Sequence, residues 1–345
     1  MQARGYGVVE IDDLGSTAAR PQLLDWSVQQ LRTQLMGGAF FDEAVLPRKR
    51  HRDTFVVPRD IGEERNVMNL KILSFNLCCG DDPGGNSVAE RAPRVAAVLN
   101  RCDPDVIGLQ EYTPVWAPLL AQALGDRYEI YNRYRAENSL ESTPILWKKD
   151  RFRCIFQGTF WLSDTPERES KGWDAGFDCY RICQYVCLEE RRSGVQFLHM
   201  NTHFGFGDVG QIASARLLSD RGRALFPGPT VVTGDFNMGC RTAGYREMCR
   251  FFTDVNGATG KNEEATFHNY GVRDALLEKL FPAIHVIGDA ALHLDHCFVR
   301  GGIRPLRQEI RRDRPGGGYP SDHDALLSDV ALPDPAAAGN KEERQ

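Results

Sequence analysis

From residue 69 onward the sequence predicts an α/β fold, a four-layer sandwich of two packed mixed β-sheets flanked by helices. Short apolar runs alternate with stretches whose apolar residues recur every three to four positions, so strands and helices interleave. Only some strands are followed by a helix, which a doubly wound parallel sheet would require throughout. Many strands with few helices fit two sheets packed face to face.

In chain order, strands are predicted at 70–77, 105–111, 128–132, 144–148, 152–162, 181–188, 195–202, 229–235, 284–287, 295–299 and 324–331. Helices are predicted at 88–101, 114–124, 209–225, 242–250 and 274–280. Residues 1–67 read as an N-terminal extension. Leu23, Leu24, Trp26, Leu31 and Leu35 give it an imperfect helical stripe, and a polar, charged stretch links it to the first strand. Residues 68–332 form the expected catalytic domain, and 333–345 a frayed polar tail.

Composition excludes several function classes. Of the 345 residues 42% are hydrophobic and 26% charged, and no apolar window is long enough for a transmembrane helix. The first residues carry no apolar signal-peptide core, so a cytoplasmic location is expected. The ten cysteines fall mostly in apolar runs and read as reduced thiols, and neither Cys78-Cys79 nor Cys179/Cys183 has the spacing of a zinc site. The net charge of −5 argues against a grip on long nucleic-acid duplexes. Basic residues gather only at Arg48–Arg52 and from Arg304 to Arg314, and both stretches read as solvated loops.

The polar residues that matter share one placement, at or beside the end of an apolar strand. LKILSFNL delivers Asn76, DVIGLQE delivers Glu111, VQFLHMNTH delivers His203, and TVVTGDFN delivers Asp235 and Asn237. LDHCFV and PSDHDAL supply Asp295 and the pair Asp322-His323. Such groups at buried strand ends cost free energy unless they find partners, so several meeting at one rim make a carboxylate-rich pocket. Hard oxygen ligands of this kind suit Mg²⁺ or Mn²⁺. Each motif alone has a plain structural reading: Glu111 as a helix cap or ion pair, GDFN as a tight turn, SDH as a loop. His199 and His293 read as structural.

Their order — N, QE, NTH, GDFN, LDH, SDH — resembles the endonuclease/exonuclease/phosphatase superfamily over roughly residues 69–331. The resemblance implies a metal-dependent phosphoric ester hydrolase in which water attacks phosphorus in line, with no covalent enzyme intermediate. By the same resemblance, Glu111 is the principal metal ligand, with Asn76 beside it and Asp322 as second metal-proximal carboxylate. Asp235 orients or deprotonates the attacking water, and His203 and His323 serve the transferring phosphoryl group. Asp295 fixes the tautomer of His323, Glu141 supports His203, and Asn237, Asn76 and Arg181 bind phosphate.

The segment FWLSDTP followed by KGWDA resembles a bacterial branch close to the deadenylase and nocturnin group, as does ATFHNY, in which Asn269 stands where that branch has glycine. Trp173, Phe267 and His268 are therefore expected at the substrate mouth, with Trp173 and Phe267 able to stack on a base or sugar. The resulting expectation is a 3′–5′ exoribonuclease-like nuclease acting on single-stranded RNA. A phosphatase or phosphodiesterase for a nucleotide, phosphosugar or lipid headgroup is the alternative. The sequence leaves oligomeric state open.

Overall fold

The structure, a computed structural model, describes residues 68–173, 179–260, 264–271 and 291–333. The predicted strand 284–287, the helix 274–280, the extension 1–67, Arg48–Arg52 and nearly all of the tail lie outside these residues.

The strands are β1 (Asn69–Asn76), β2 (Val106–Gln110), β3 (Tyr128–Tyr131), β4 (Tyr134–Ala136), β5 (Ser139–Ser142), β6 (Ile145–Lys148) and β7 (Phe152–Trp161). There follow β8 (Ile182–Glu190), β9 (Gln196–His203), β10 (Thr230–Asp235), β11 (Thr253–Asp254), β12 (Asp295–Arg300), β13 (Arg304–Arg311) and β14 (Ala325–Ala331). The helices are α1 (Val88–Cys102), α2 (Trp116–Leu124), α3 (Asp208–Leu225), α4 (Ala243–Phe251) and α5 (Val255–Thr259). One six-stranded sheet runs β13-β14-β1-β2-β6-β3 and the other β11-β12-β10-β9-β8-β7, with β4 and β5 as a separate hairpin. Both sheets are mixed, as predicted, and they share one pairing pattern. In each, a single parallel pair, β1 with β2 or β10 with β9, is flanked by antiparallel neighbours.

Three apolar layers explain the sandwich. Alternation along β1 sends Leu70 and Ile72 into the layer between the sheets, where they meet Val186, Phe197, Val231 and Val299. It sends Leu73 and Phe75 outward against Val95 and Leu99 of α1 and Trp116 of α2. On the far side Leu198, Met200 and Val232 face Leu218 of α3 and Met248 of α4. Strands buried on both faces read as continuous apolar runs, which is why the sequence exposed them. Helix α1 starts where Ser87 and Glu90 form a reciprocal capping box.

The stretch from Arg304 is a correction. It forms strand β13 at a sheet edge, paired to β14, rather than a loop. Its alternation of charged and apolar residues hid a half-exposed strand, and four arginines of the stretch are held by carboxylates: Arg307 by Glu309, Arg311 by Glu309 and Asp313, Arg312 by Glu264, and Arg314 by Asp324. The hairpin β4–β5 and the short α5, capped by Asp254, are too short and polar to show a period.

Candidate active site

Because β1 runs parallel to β2 and β10 parallel to β9, the C-terminal ends of these four strands reach the same rim. The antiparallel β12 begins there, with Asp295 opposite Asp235, which is itself in register with His203. Asp322 and His323 lie just before β14, the antiparallel neighbour of β1. The rims of the two sheets meet where Asn76 Nδ2 donates to Asp235 Oδ2 at 2.9 Å. The structure thus brings Asn76, Glu111, His203, Asp235, Asn237, Asp295, Asp322 and His323 together.

A buried amide holds the sheets in this relation. Asn201 Nδ2 on β9 lies 2.7 to 3.2 Å from the carbonyls of Leu109, Thr143 and Pro144, while its Oδ1 accepts from Gln110 Nε2 and Thr233 Oγ1. Gly108 permits this approach, since a Cβ there would lie 2.4 Å from Thr233 Oγ1 and 2.6 Å from Asn201 Oδ1.

Asp235 Oδ2 is the focus of the rim. His203 Nε2 stands 3.5 Å from it and His323 Nε2 3.6 Å. The two imidazoles are set differently. His323 Nδ1 donates to Asp295 Oδ2 at 2.8 Å. Burial acts to discharge this ring, but Asp295, Asp235 and Asp322 outweigh it and hold its pKa well above the ordinary histidine range. His203 is pushed well below that range by burial, with Arg181 and Arg135 adding to the push. Asn237 Nδ2 lies 3.0 Å from its Nε2, while Arg135 at 3.2 Å and Glu141 Oε1 at 3.6 Å face its Nδ1.

Two carboxylates suit a metal. Glu111 accepts from Asn76 Nδ2 at 3.1 Å and from the Cys79 N–H at 2.9 Å. Burial pushes Asp322 up to about 6, Glu111 and Asp82 add to this, and His323 opposes it. Like charges gathered in a buried place call for a cation, and an all-oxygen donor set fits a hard divalent one. Glu111 and Asp322 are the residues that would hold it, supplying the charge that lets water attack a phosphate ester.

Three placements differ from the sequence reading. Asn76 accepts at Oδ1 from the Cys78 N–H and donates from Nδ2 to both Glu111 and Asp235, so its amide links the two carboxylates rather than facing a metal. Both Asn237 Nδ2 protons are committed, to Phe204 O at 2.9 Å and to His203, so its side chain is not a phosphate donor here; its remaining Oδ1 is buried without a partner. Phe267 and His268 are buried rather than lining a mouth. Phe267 packs 4.9 Å from the His323 ring, and His268 Nε2 lies 3.3 Å from Asp324 Oδ1. Trp173 is half-buried and donates from Nε1 to Asp164 Oδ1 at 2.7 Å. Arg181 is buried immediately before β8.

Arg135 on the β4 strand went unread in the sequence. It is buried, pairs with Glu141, and lies 3.2 Å from His203 Nδ1. Its only sequence signal is a charge inside YRA, which nothing distinguishes from a surface residue.

Residues 73–323 match the Endonuclease/Exonuclease/phosphatase family. The chain belongs to this family. Its members are phosphoric ester hydrolases that in general use divalent metal ions, and the chain is such a hydrolase. Among solved structures, an endonuclease/exonuclease/phosphatase family protein from Bacteroides thetaiotaomicron is 24% identical with a TM-score of 0.66, over 77% of this chain and 96% of that one. The mannosyl-6-phosphatase of the same organism is 25% identical with a TM-score of 0.63, over 76% of this chain and 99% of that one. The human nocturnin catalytic domain shares the fold at 16% identity and a TM-score of 0.56, over 77% of this chain and 95% of that one. No curated protein matches the chain in sequence. No described helix is long and apolar enough to cross a membrane.

Proposed function

We propose that this enzyme is a phosphatase of a small phosphorylated metabolite, a phosphosugar or nucleotide, rather than a nuclease gripping a polymer. The observation that carries this is the state of the basic segment formed by β13 and the residues after it, where Arg307, Arg311, Arg312 and Arg314 are each matched by a carboxylate and offer little charge to a polyanion. The burial of Phe267 removes one of the two stacking surfaces a single strand would use. Likeness to a mannosyl-6-phosphatase supports the same reading. The second reading, a 3′–5′ exoribonuclease-like phosphodiesterase of the KGWDA-bearing branch, keeps one support in the half-exposed Trp173.

In the proposed reaction Glu111 and Asp322 would hold Mg²⁺ or Mn²⁺, and the bound ion would supply positive charge to polarise the phosphoryl oxygens. Asp235 Oδ2 takes the proton of the attacking water, and Asn76 keeps that carboxylate in place. The His323 imidazolium, held by Asp295, donates to the phosphoryl or leaving oxygen, while the neutral His203 orients from the other side under Glu141 and Arg135. Arg181 adds positive charge for the phosphate. Residues 68–332 carry this work in the cytoplasm.

Purified chain with Mg²⁺ or Mn²⁺ should be offered p-nitrophenyl phosphate, bis-p-nitrophenyl phosphate, sugar phosphates, nucleotides and labelled poly(A). Monoester turnover with intact poly(A) is the expected result. Diester cleavage with shortened poly(A) would replace this reading by the second. Asp235→Asn and His323→Ala should each reduce turnover by at least ~10²-fold with the fold intact. Near-normal rates in either variant would sink the assignment of the rim.

A further inference from the structure

Cys240, His293 and His296 bring one ligand atom each to within 4.8 Å of one another. They come from separate segments: Cys240 from the turn after the GDFN strand, His293 and His296 from either side of Asp295. Spacing in the sequence therefore gives no sign of them. Both histidines are fully buried and Cys240 is half-buried.

Hydrogen bonds fix the proton on each ring. His293 Nδ1 lies 2.6 Å from the Glu264 carbonyl oxygen, which can only accept, so Nδ1 carries the proton. Its Nε2 is then a lone pair, now accepting from Asn256 Nδ2 at 3.1 Å. His296 Nε2 donates to the Met238 carbonyl oxygen at 3.0 Å. His296 Nδ1 is left buried without a hydrogen-bond partner, its nearest charged neighbour being Asp254 Oδ2 at 3.7 Å. An imidazole whose far N–H is held by a backbone carbonyl, with its near nitrogen bare, has the outer-sphere arrangement of a metal-bound histidine.

The geometry points to a zinc site at Cys240, His293 and His296, separate from the divalent-metal site at Glu111 and Asp322. One sulfur and two imidazole nitrogens select a borderline-soft ion such as Zn²⁺, whereas the carboxylates of Glu111 and Asp322 select a hard one. Zinc bonds of roughly 2.0–2.3 Å would draw the three atoms closer than they stand now and displace Asn256 from His293 Nε2. The fourth position falls to a water, with Asp254 beside it. On binding, the Cys240 thiol gives its proton to solvent and its sulfur electron pair to the metal; no oxidant or reductant is involved. Such an ion would tie the segment after Asp235 and Asn237 to the segment that carries Asp295, so it would brace the rim without touching substrate.

The full-length chain should be grown with zinc, desalted and assayed for metal, and in parallel loaded with Co²⁺ for absorption spectroscopy. The expected result is near-stoichiometric zinc, together with a thiolate-to-cobalt charge-transfer band. Retained zinc should fall about tenfold or more in Cys240→Ser and in His293→Asn but stay unchanged in Glu111→Gln. Because the cobalt spectrum is read on the unaltered protein, misfolding of a variant cannot decide the outcome. Absence of zinc, or a cobalt form without the thiolate band, overturns the proposal and leaves both histidines as buried structural side chains. Loss of zinc in Glu111→Gln alone overturns it as well.

Discussion

Glu111 and Asn237 both have positive φ, 54° and 48°, one and two residues after the strands that bring them to the rim. A side chain in that region costs on the order of 1 kcal/mol or more relative to glycine, and such strain collects where position matters more than stability. Glu111→Gly should therefore be more stable than Glu111→Ala by about 1 kcal/mol in urea unfolding, although both lose the carboxylate. Equal stability, or a more stable alanine variant, would show that the backbone there is not strained. The Asp295–His323 pair gives a second test at this scale. Asp295→Asn keeps the shape but removes the charge that sustains the imidazolium, so kcat should fall roughly 10–100-fold with KM little changed. The alkaline limb of the pH–rate profile should also move to lower pH, because the folded-state pKa of His323 drops. An unmoved limb would separate Asp295 from the protonation of His323.

At the scale of elements, the rim depends on how closely β9 and β10 run. A Cβ on Gly234 would stand 2.3 Å from the Thr202 carbonyl oxygen, a backbone atom that cannot swing aside. Gly234→Ala should destabilise the fold by ~2 kcal/mol and also lower activity, because Asp235 and His203, in register next to this position, would be pushed apart. Normal activity in a folded Gly234→Ala enzyme would refute that coupling. The sheets and their strand-end residues were legible because doubly buried strands make long apolar runs, so an Asn, Glu or Asp closing such a run stands out. Partners across the rim were not legible. Arg135, Asn201 and the carbonyl that occupies Asn237 act through tertiary contacts between distant segments, and no local period records them. The same holds for β13, where alternating charge looks like solvated loop until the carboxylates opposite its arginines are known.

Across the whole molecule, buried neutral histidine sets a limit in acid. His199 is fully buried, donates to Thr233 Oγ1 at 2.8 Å, and is lowered by burial from 6.5 to about 3. Below pH 6.5 the unfolded chain binds a proton that the folded chain refuses, so stability falls with pH down to about 3, by up to about 1.4 kcal/mol per pH unit. His199→Gln, which can keep the bond to Thr233, should flatten this acid limb by one proton; an unchanged slope in acid-titrated denaturation would exclude His199 as its source. The order of strands in the first sheet has a consequence for biosynthesis. β1, among the earliest described segments to be made, pairs on one side with β14, the last strand described. A nascent chain still tethered before β14 carries an open strand edge at β1 and cannot close its first sheet. Until β14 has been made, the exposed edge of β1 is a surface for chaperones to cover.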